Sequence, residues 1–280
     1  MLLLSQALFV SSDSFVKLLG TEMPPGQIMA FRGVMAVALA ASVLIATVEP
    51  ARWRLALTPM VGVRAGLESI SAALFIMSLP HLPLSDITVF MQFTPLSITL
   101  LAALILREHV GWRRWAAIAV GFIGVLLVAK PGASEFSPYA ISAIMVALII
   151  SVRDLITRRL DPAIPTPAIT LTTTLAVCLL GFASAPFEDW ITLSWDQAAL
   201  LAGSAILVTT ANAAIIRAFR GTDLTVVSPF RYFGVLWAVG LGFAVWGEIP
   251  DLLAICGTVL IVGSGLYTMH RESIRMRQRA

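Results

Sequence analysis

The chain has 280 residues, of which 58% are hydrophobic and only 12% are charged, and its mean hydropathy is +0.90. A soluble domain carries about twice that share of charged residues. The composition therefore excludes a soluble globular protein and indicates an integral membrane protein, for which a net charge of +3 says little until the charges are assigned to the two sides of the membrane.

Ten apolar windows follow one another along the chain, and each approaches the length of about 20 residues that a helix needs to cross a bilayer. In chain order they are 2–20, 27–48, 60–79, 84–106, 112–129, 137–158, 165–186, 197–219, 223–246 and 251–270. Segments rich in Pro and Gly, such as MPPG and PHLP, separate them. The sequence predicts an all-α membrane protein with ten transmembrane helices, the first of which is retained and not cleaved as a signal peptide.

The basic residues predict the orientation. When alternate loops are assigned to opposite sides, four of the 19 Lys and Arg residues (Lys17, Arg32, Lys130 and Arg231) lie on one side, and the remaining 15 lie with the chain ends. Basic loops stay in the cytoplasm. We therefore expect both termini in the cytoplasm, and the acidic loop that carries Glu188 and Asp189 outside.

The two halves of the chain share a layout. With Glu108 aligned to Glu248, an offset of 140 residues, Phe93 falls on Phe233. Each half then holds five windows, so the second half enters the membrane from the opposite side. This arrangement predicts two inverted five-helix repeats, residues 1–132 and residues 133–280 with a short basic cytoplasmic tail. Inverted repeats are typical of alternating-access carriers, which bind substrate between the halves.

Three segments resemble one known family. They are PPGQIMAFRG near the second window, LREHVGWRRWAAIAVGFIGVLLVAKPG around the fourth and fifth, and SPFRYFGVLWAVGLGFAVWGEIPD near the end. Together they resemble the drug/metabolite transporter superfamily, EamA type, over nearly the whole chain. The resemblance implies a ten-span secondary exporter in a bacterial-type inner membrane, with amino acids and related metabolites, or toxic cations, as substrates.

Arg231 is the main candidate for a substrate ligand. It lies about eight residues, or about 12 Å, into the ninth window, where a cation costs about 2.5–3.5 kcal/mol and has to face the bundle interior. Two interpretations are open, a cation that holds a substrate carboxylate and a fixed ion pair between helices. Tyr232, Phe233 and Trp237 follow it, either as core packing or as the lining of an apolar cavity that also attracts cations.

Glu68 lies about eight residues into the third window and has three open interpretations. A local ion pair with Arg64, one helical turn earlier, is the simplest. The others are a pair with Arg231 across the cavity, and a buried carboxylate that carries a coupling proton.

Three charged residues of the first two windows, Asp13, Lys17 and Arg32, are predicted to have structural or gating roles. Asp13 and Lys17 are four residues apart with the acid first, which favours a structural pair on one helix face. Arg32 is close enough to the start of its window to extend towards the outer interface. Because it matches the arginine of the second span in the resembling family, we expect a packing or gate residue.

Polar residues and prolines interrupt other windows. Pro95 cannot donate to the carbonyl of Met91, so it is expected to bend the fourth helix beside Gln92, and Met91 and Gln92 are predicted to line the substrate cavity. Pro229 has the same effect near the start of the ninth window, and interrupted helices in the two halves point to a binding site. Asn212 is either a link between helices or a ligand contact.

Small residues predict close helix packing. Gly62 and Gly66 form a G-x-x-x-G motif in the third window, which suits a tight contact inside a monomer or in a homodimer. The sequence leaves both oligomeric states open. Cys178 and Cys256 are expected to be small core residues.

Enzyme motifs are absent from the sequence. It contains no G-x-x-x-x-G-K-[ST], HExxH or G-x-S-x-G motif, so we expect no enzyme, no resident metal or cofactor and no nucleic-acid partner. The sequence instead predicts a secondary exporter of small amphipathic metabolites, with amino acids as first candidates and protons as the candidate coupling ion. Efflux of lipophilic cations and, in another class, a membrane channel are the alternatives.

Overall fold

The computed structural model describes residues 2–105, 111–131, 137–157, 159–220 and 232–277. These ranges contain eleven α-helices and no β-strand, which confirms the all-helical class. The helices are Leu2–Leu19 (α1), Pro25–Thr47 (α2), Pro59–Ser78 (α3), Leu84–Met91 (α4), Thr94–Ile105 (α5), Trp112–Ala129 (α6), Tyr139–Thr157 (α7), Thr166–Ser184 (α8), Trp195–Arg220 (α9), Phe233–Trp246 (α10) and Leu252–Arg277 (α11). Short 3-10 helices follow α2, α3 and α8.

Proline and glycine set several helix ends. A proline occupies one of the first two positions of α2, α3 and α8, where a backbone N–H has no partner within the helix. The Thr58 side chain accepts a hydrogen bond from Val61 N and caps α3. Gly247, with φ of +66°, ends α10 in the left-handed conformation that glycine adopts without a steric penalty.

Four described segments are both long and apolar enough to cross a membrane, 25–47, 59–81, 139–157 and 166–187. Shorter apolar helices cover 115–129, 233–246 and 252–268. The helices follow the predicted windows closely, although ten crossings remain a prediction.

The predicted window 84–106 is broken into two helices. Gln92 and Phe93 form a turn between α4 and α5, just before Pro95. The carbonyl oxygen of Met91, which a proline four residues later leaves without its helical donor, accepts a hydrogen bond of 2.7 Å from Thr94 Oγ1. The helix therefore breaks where the sequence predicts a bend.

The helices pack in antiparallel and parallel pairs around one large apolar core. The main pairs are α2 with α8, α6 with α11, α1 with α9, α3 with α7, α3 with α8, α5 with α7, α1 with α10 and α4 with α10. Phe90, Leu96 and Ile261 are among the fully buried side chains of that core.

Glycine permits a close crossing of α6 and α11. A Cβ added at Gly124 of α6 would lie 2.7 Å from the carbonyl oxygen of Gly257, and one added at Gly257 of α11 would lie 2.6 Å from that of Gly124. Gly62 and Gly66 make no close helix contact within this chain, because a Cβ at either position meets no atom within 4 Å, and their contact in a homodimer stays a prediction.

Contacts between helix ends define two ends of the bundle. At the end that we call the Glu188 end, Gly26 N at the start of α2 donates to Glu188 Oε1 after α8. His81 after α3 stacks on Tyr139 at the start of α7, with ring centroids 3.8 Å apart. At the opposite end, the Arg52 end, Arg52 Nη2 donates to the carbonyl of Ala163 before α8 at 3.0 Å.

Candidate functional site

A cavity of about 790 Å³ lies between α2, α3, α8 and α9. Its volume falls in the range of about 300–1,000 Å³ that is typical of small-molecule sites. The lining combines apolar side chains and threonines with three charged residues, Arg32, Arg52 and Glu68. Arg52 and Pro162, which are exposed, line it at the Arg52 end, so the cavity extends from the interior to that end of the bundle.

Arg32 lies on α2 and lines this cavity. Its Nη2 donates a hydrogen bond of 3.0 Å to Ser12 Oγ on α1, and Ser12 Oγ is in turn 2.8 Å from Ser204 Oγ on α9. Asp13, next to Ser12, is near enough to interact electrostatically with the guanidinium. The expected extension of Arg32 towards the interface is therefore wrong, because Ser12 and Asp13 of α1 hold it inside the bundle, and Ser204 of α9 holds Ser12.

Glu68, the second charged residue of the cavity wall, forms an ion pair with Arg153 of α7. Arg153 also contacts Asp154 Oδ1 at 2.7 Å. Arg64 donates instead to Thr157 Oγ1 at 2.9 Å and to Thr173 Oγ1 at 2.7 Å. The local pair of Glu68 and Arg64 is thus not the one formed. The partner of Glu68 is Arg153, one of the 15 basic residues that predict the orientation.

Lys17 links the ends of several helices at the Glu188 end of the bundle. Its ammonium forms an ion pair with Glu248 after α10 and donates to the carbonyl of Leu82 at 2.7 Å. Glu248 Oε2 accepts from Leu84 N at 2.9 Å and so caps α4. The predicted pair of Lys17 with Asp13 is wrong, since Lys17 lies near the end of α1 and extends to α4 and α10, while Asp13 faces Arg32.

A second ion pair at the same end is more exposed. Lys130 Nζ lies 2.7 Å from Asp251 Oδ2, between the end of α6 and the start of α11. The hydrogen bond from Lys130 lowers the pKa of the Asp251 carboxyl below its usual range. The pair is therefore fully formed at neutral pH, and its contribution is lost only as the pH falls through that lowered pKa.

Most of the predicted cavity residues lie elsewhere. Among the described residues, the lining includes Glu68 but none of Met91, Gln92, Phe233 and Trp237. Trp237 Nε1 donates to Ser11 Oγ on α1 at 3.1 Å, and its ring centroid is 6.2 Å from that of Phe233.

The remaining predicted residues divide into two groups. Tyr232, also absent from the lining, is buried where α10 meets α11, since a Cβ at Gly265 would lie 3.1 Å from Tyr232 Cζ. Arg231, Pro229 and the side chain of Asn212 lie outside the part of the chain that the structure describes.

Two residues of the site were not predicted as such. Arg153 and Thr173 contact Glu68 and Arg64 across helix boundaries. For Arg153, the available signal was an arginine inside the predicted window 137–158.

Cys178 is buried as expected, whereas Cys256 is exposed, which corrects its predicted core position. The described residues contain no group of three His, Cys, Asp or Glu side chains that could hold a metal ion.

Comparison with known proteins gives a family match for the first part of the chain and several similar transporters. Residues 1–130 match the EamA-like transporter family. The S-adenosylmethionine uptake transporter of Rickettsia prowazekii is 27% identical over 69% of this chain and 66% of that protein. The pseudopaline exporter CntI of Pseudomonas aeruginosa strain PAO1 is 26% identical over 73% of this chain and 72% of its own length. The riboflavin transporter of Vibrio cholerae is 26% identical over 77% of this chain and 72% of that protein.

The chain spans about two thirds of the first of these relatives. A solved structure described only as "Crystal structure of protein" shares the fold with a TM-score of 0.59, at 20% identity and 94% coverage of both chains.

Proposed function

We propose that this chain, whose residues 1–130 match the EamA-like transporter family, belongs to that family and is a secondary transporter that exports small amphipathic metabolites across a bacterial inner membrane. Amino acids are the first candidate substrates. The coarser part of the proposal, a membrane transporter and not an enzyme, is supported by the family match and by the names of the relatives.

The cavity of about 790 Å³ is the observation that carries the proposal. Met29, Ile76 and Val177 give it apolar surface, while Arg32 and Glu68 add charge. A site of this composition suits a compound with one apolar part and one charged part. An empty water-filled pore would need no such mixed wall.

Alternating access is the mechanism we propose, with the halves 1–132 and 133–280 moving around the cavity. The helix positions support a repeat with the offset of 140: α6 begins at residue 112 and α11 at residue 252, and α5 begins at residue 94 and α10 at residue 233. The packing is matched as well. The pairs α2–α8 and α6–α11 join counterparts, and the pair α1–α9 corresponds to α7–α3.

Opposite orientation of the halves has its own support. The end of α1 and the start of α7, its counterpart, both lie at the Glu188 end, as the contacts of Lys17 and Tyr139 indicate. Counterpart helices thus run in opposite directions. We propose that the Arg52 end is cytoplasmic, since Arg52, Arg54 and Arg64 lie there and basic loops stay inside.

The relatives do not fix the substrate or the direction, and one of them is named as a riboflavin transporter. Two of them are named for S-adenosylmethionine and pseudopaline, one as an uptake transporter and the other as an exporter. Export of amino-acid-like compounds, with protons as the coupling ion, is our proposal for this chain.

The break before Pro95 is proposed as a bending point, and Pro229 as its counterpart. Arg231 and the aromatic residues after it are proposed to form a second wall in another state of the cycle.

Flux into proteoliposomes tests the function. We expect saturable uptake of radiolabelled apolar amino acids by purified protein, and none of a quaternary ammonium ion. Replacement of Ala36, which lines the cavity, by Trp should reduce this flux at least about tenfold by filling the site. Ala38→Trp is the matched control, because Ala38 is on the outer face of the same helix and is exposed.

Three results would contradict the proposal. Equal flux in the Ala36→Trp and Ala38→Trp proteins would show that the cavity is not the transport route. Preferential flux of the quaternary cation would favour a drug exporter, and a conductance that does not saturate would favour a channel. Flux should also respond to an imposed proton gradient.

A further inference from the structure

We propose that the cavity selects zwitterions, with the substrate carboxylate held by Arg32 and the substrate cation held by Glu68. This inference rests on the proposed transport function and specifies its substrate class and the residues that determine it. Both residues line the same cavity, one on α2 and the other on α3.

The two charged groups lie at about the same depth in the bundle. A Cβ at Gly33, next to Arg32, would be 2.7 Å from Cys178 Cβ, so Arg32 is level with that part of α8. Arg64 donates to Thr173, five residues before Cys178. Glu68 lies four residues, or about 6 Å, beyond Arg64 along α3. Cys178 lies five residues, or about 7.5 Å, beyond Thr173 along α8, which runs in the same direction as α3. The two charged side chains therefore line the same cavity at a similar depth.

Arg32 is prepared for a carboxylate. The hydrogen bond to Ser12 uses Nη2 and fixes the guanidinium, and Ser204 in turn holds Ser12. A guanidinium carries five N–H donors in a planar fork. Donors beyond the one to Ser12 match a carboxylate, which arginine binds with two parallel hydrogen bonds.

Glu68 is prepared for a cationic group. Its Oε2 pairs with Arg153, and Arg153 is itself balanced by Asp154. A carboxylate has about four lone-pair positions on its two oxygens, so it can accept from an ammonium group while it remains bound to Arg153. The ion pair of Glu68 on α3 with Arg153 on α7 holds the carboxylate at the cavity wall.

The charge balance favours a zwitterion over a simple ion. Arg32 has Asp13 near it, and Glu68 has Arg153. A ligand with a single charge would bring one uncompensated charge into this enclosed space, which is costly. A zwitterion brings both charges, each beside its opposite, and Met29 and Val177 offer apolar surface for its side chain.

Binding to purified protein in detergent tests the inference without a transport assay. The probes are leucine, methionine and phenylalanine, each compared with the amine that lacks its carboxylate and the acid that lacks its ammonium group. We expect each bound amino acid to bind at least about tenfold more tightly than either truncated compound, since a charge-assisted hydrogen bond contributes about that factor.

Two variants assign the roles. Arg32→Gln should abolish the preference for the amino acid over the amine, and Glu68→Gln should abolish the preference over the acid. Arg54→Gln and Glu49→Gln are matched controls, because both residues are exposed and neither lines the cavity. Arg32→Lys and Glu68→Asp keep the charge and should retain part of the preference, which also covers the case in which a neutral variant does not fold.

The inference is overturned if the wild-type protein binds no amino acid, if it binds amine and amino acid equally, or if Arg32→Gln and Glu68→Gln keep the wild-type preferences. Loss of the carboxylate preference in Arg231→Leu but not in Arg32→Gln would transfer that role to Arg231. Saturable flux without zwitterion preference would refute the inference alone. Zwitterion preference in binding without any flux would refute the proposed transport function instead.

Discussion

Buried charges in this protein are balanced by residues that lie far apart in the chain. Lys17 and Glu248 are 231 positions apart and their side chains are 5% and 21% exposed. Lys17 also lies 4.8 Å from the ring centre of Trp246. Chain spacing predicted the nearest acid, Asp13, as its partner. The physical choice depends instead on which helix ends meet, because a lysine at the end of α1 can reach only the groups packed around that end.

Removal of one member of this pair is expected to destabilise the protein. Lys17→Met and Glu248→Gln should each lower the free energy of unfolding by about 3 kcal/mol, because each leaves a largely buried charge without its partner. The double variant should lose less than the sum of the two, as measured by unfolding in detergent.

Lys130→Met and Asp251→Asn provide the matched comparison at the same end of the bundle. That pair is 17% and 45% exposed, so each change should lower stability by less than about 1 kcal/mol. Equal losses for the two pairs would show that burial does not set the strength of the Lys17 pair.

At the scale of helices, the crossing of α6 and α11 leaves no room for a side chain at its two glycines. The backbones of Gly124 and Gly257 approach so closely that a Cβ on either would meet a carbonyl oxygen at 2.6–2.7 Å. The sequence suggested Gly62 and Gly66 for this role, but α3 turns both towards open space. The spacing of glycines indicates that one helix face lacks side chains, but it does not indicate whether another helix packs against that face.

Gly124→Ala should therefore destabilise the protein by about 1–3 kcal/mol, since backbone atoms would have to move apart. Gly263→Ala on α11 is the control. No atom lies within 4 Å of a Cβ at Gly263, so that change should leave stability unchanged or raise it by up to about 1 kcal/mol through helix propensity. Thermal unfolding in detergent measures both, and a Gly124→Ala protein as stable as wild type would contradict the crossing geometry.

At the scale of the whole molecule, the contacts at the Glu188 end and the Arg52 end imply a threading order. Asp189 lies beside Glu188 and Glu49 lies beside the 3-10 helix that carries Arg52. If the Arg52 end is cytoplasmic, the two positions are on opposite sides of the membrane.

Single cysteines test this threading. In a background with Cys178 and Cys256 replaced by Ala, we expect Asp189→Cys to react with a membrane-impermeant thiol reagent in intact cells. Glu49→Cys should react only after permeabilisation, since we propose that its end of the bundle faces the cytoplasm. Labelling of both positions from the same side would refute the proposed orientation of the halves, while a simple exchange of their behaviour would reverse the orientation only.

The sequence by itself determined the class of the protein, the boundaries of most helices and the break at Pro95. These depend on local quantities: the length of apolar runs, proline geometry and the positions of charged turns. The offset of 140 residues also came from the sequence, and the helix starts at residues 112 and 252 agree with it.

Only the tertiary structure decided which helices surround the cavity and which charges face it. Arg32, Arg153 and Glu68 come from three helices, and their partners depend on the packing of α1, α3, α7 and α9. In a chain that is apolar on most helix faces, hydrophobic periodicity does not distinguish the face turned to lipid from the face turned to the interior. The aromatic residues of α10 were therefore plausible cavity residues in sequence, and the packing of four other helices placed the cavity elsewhere.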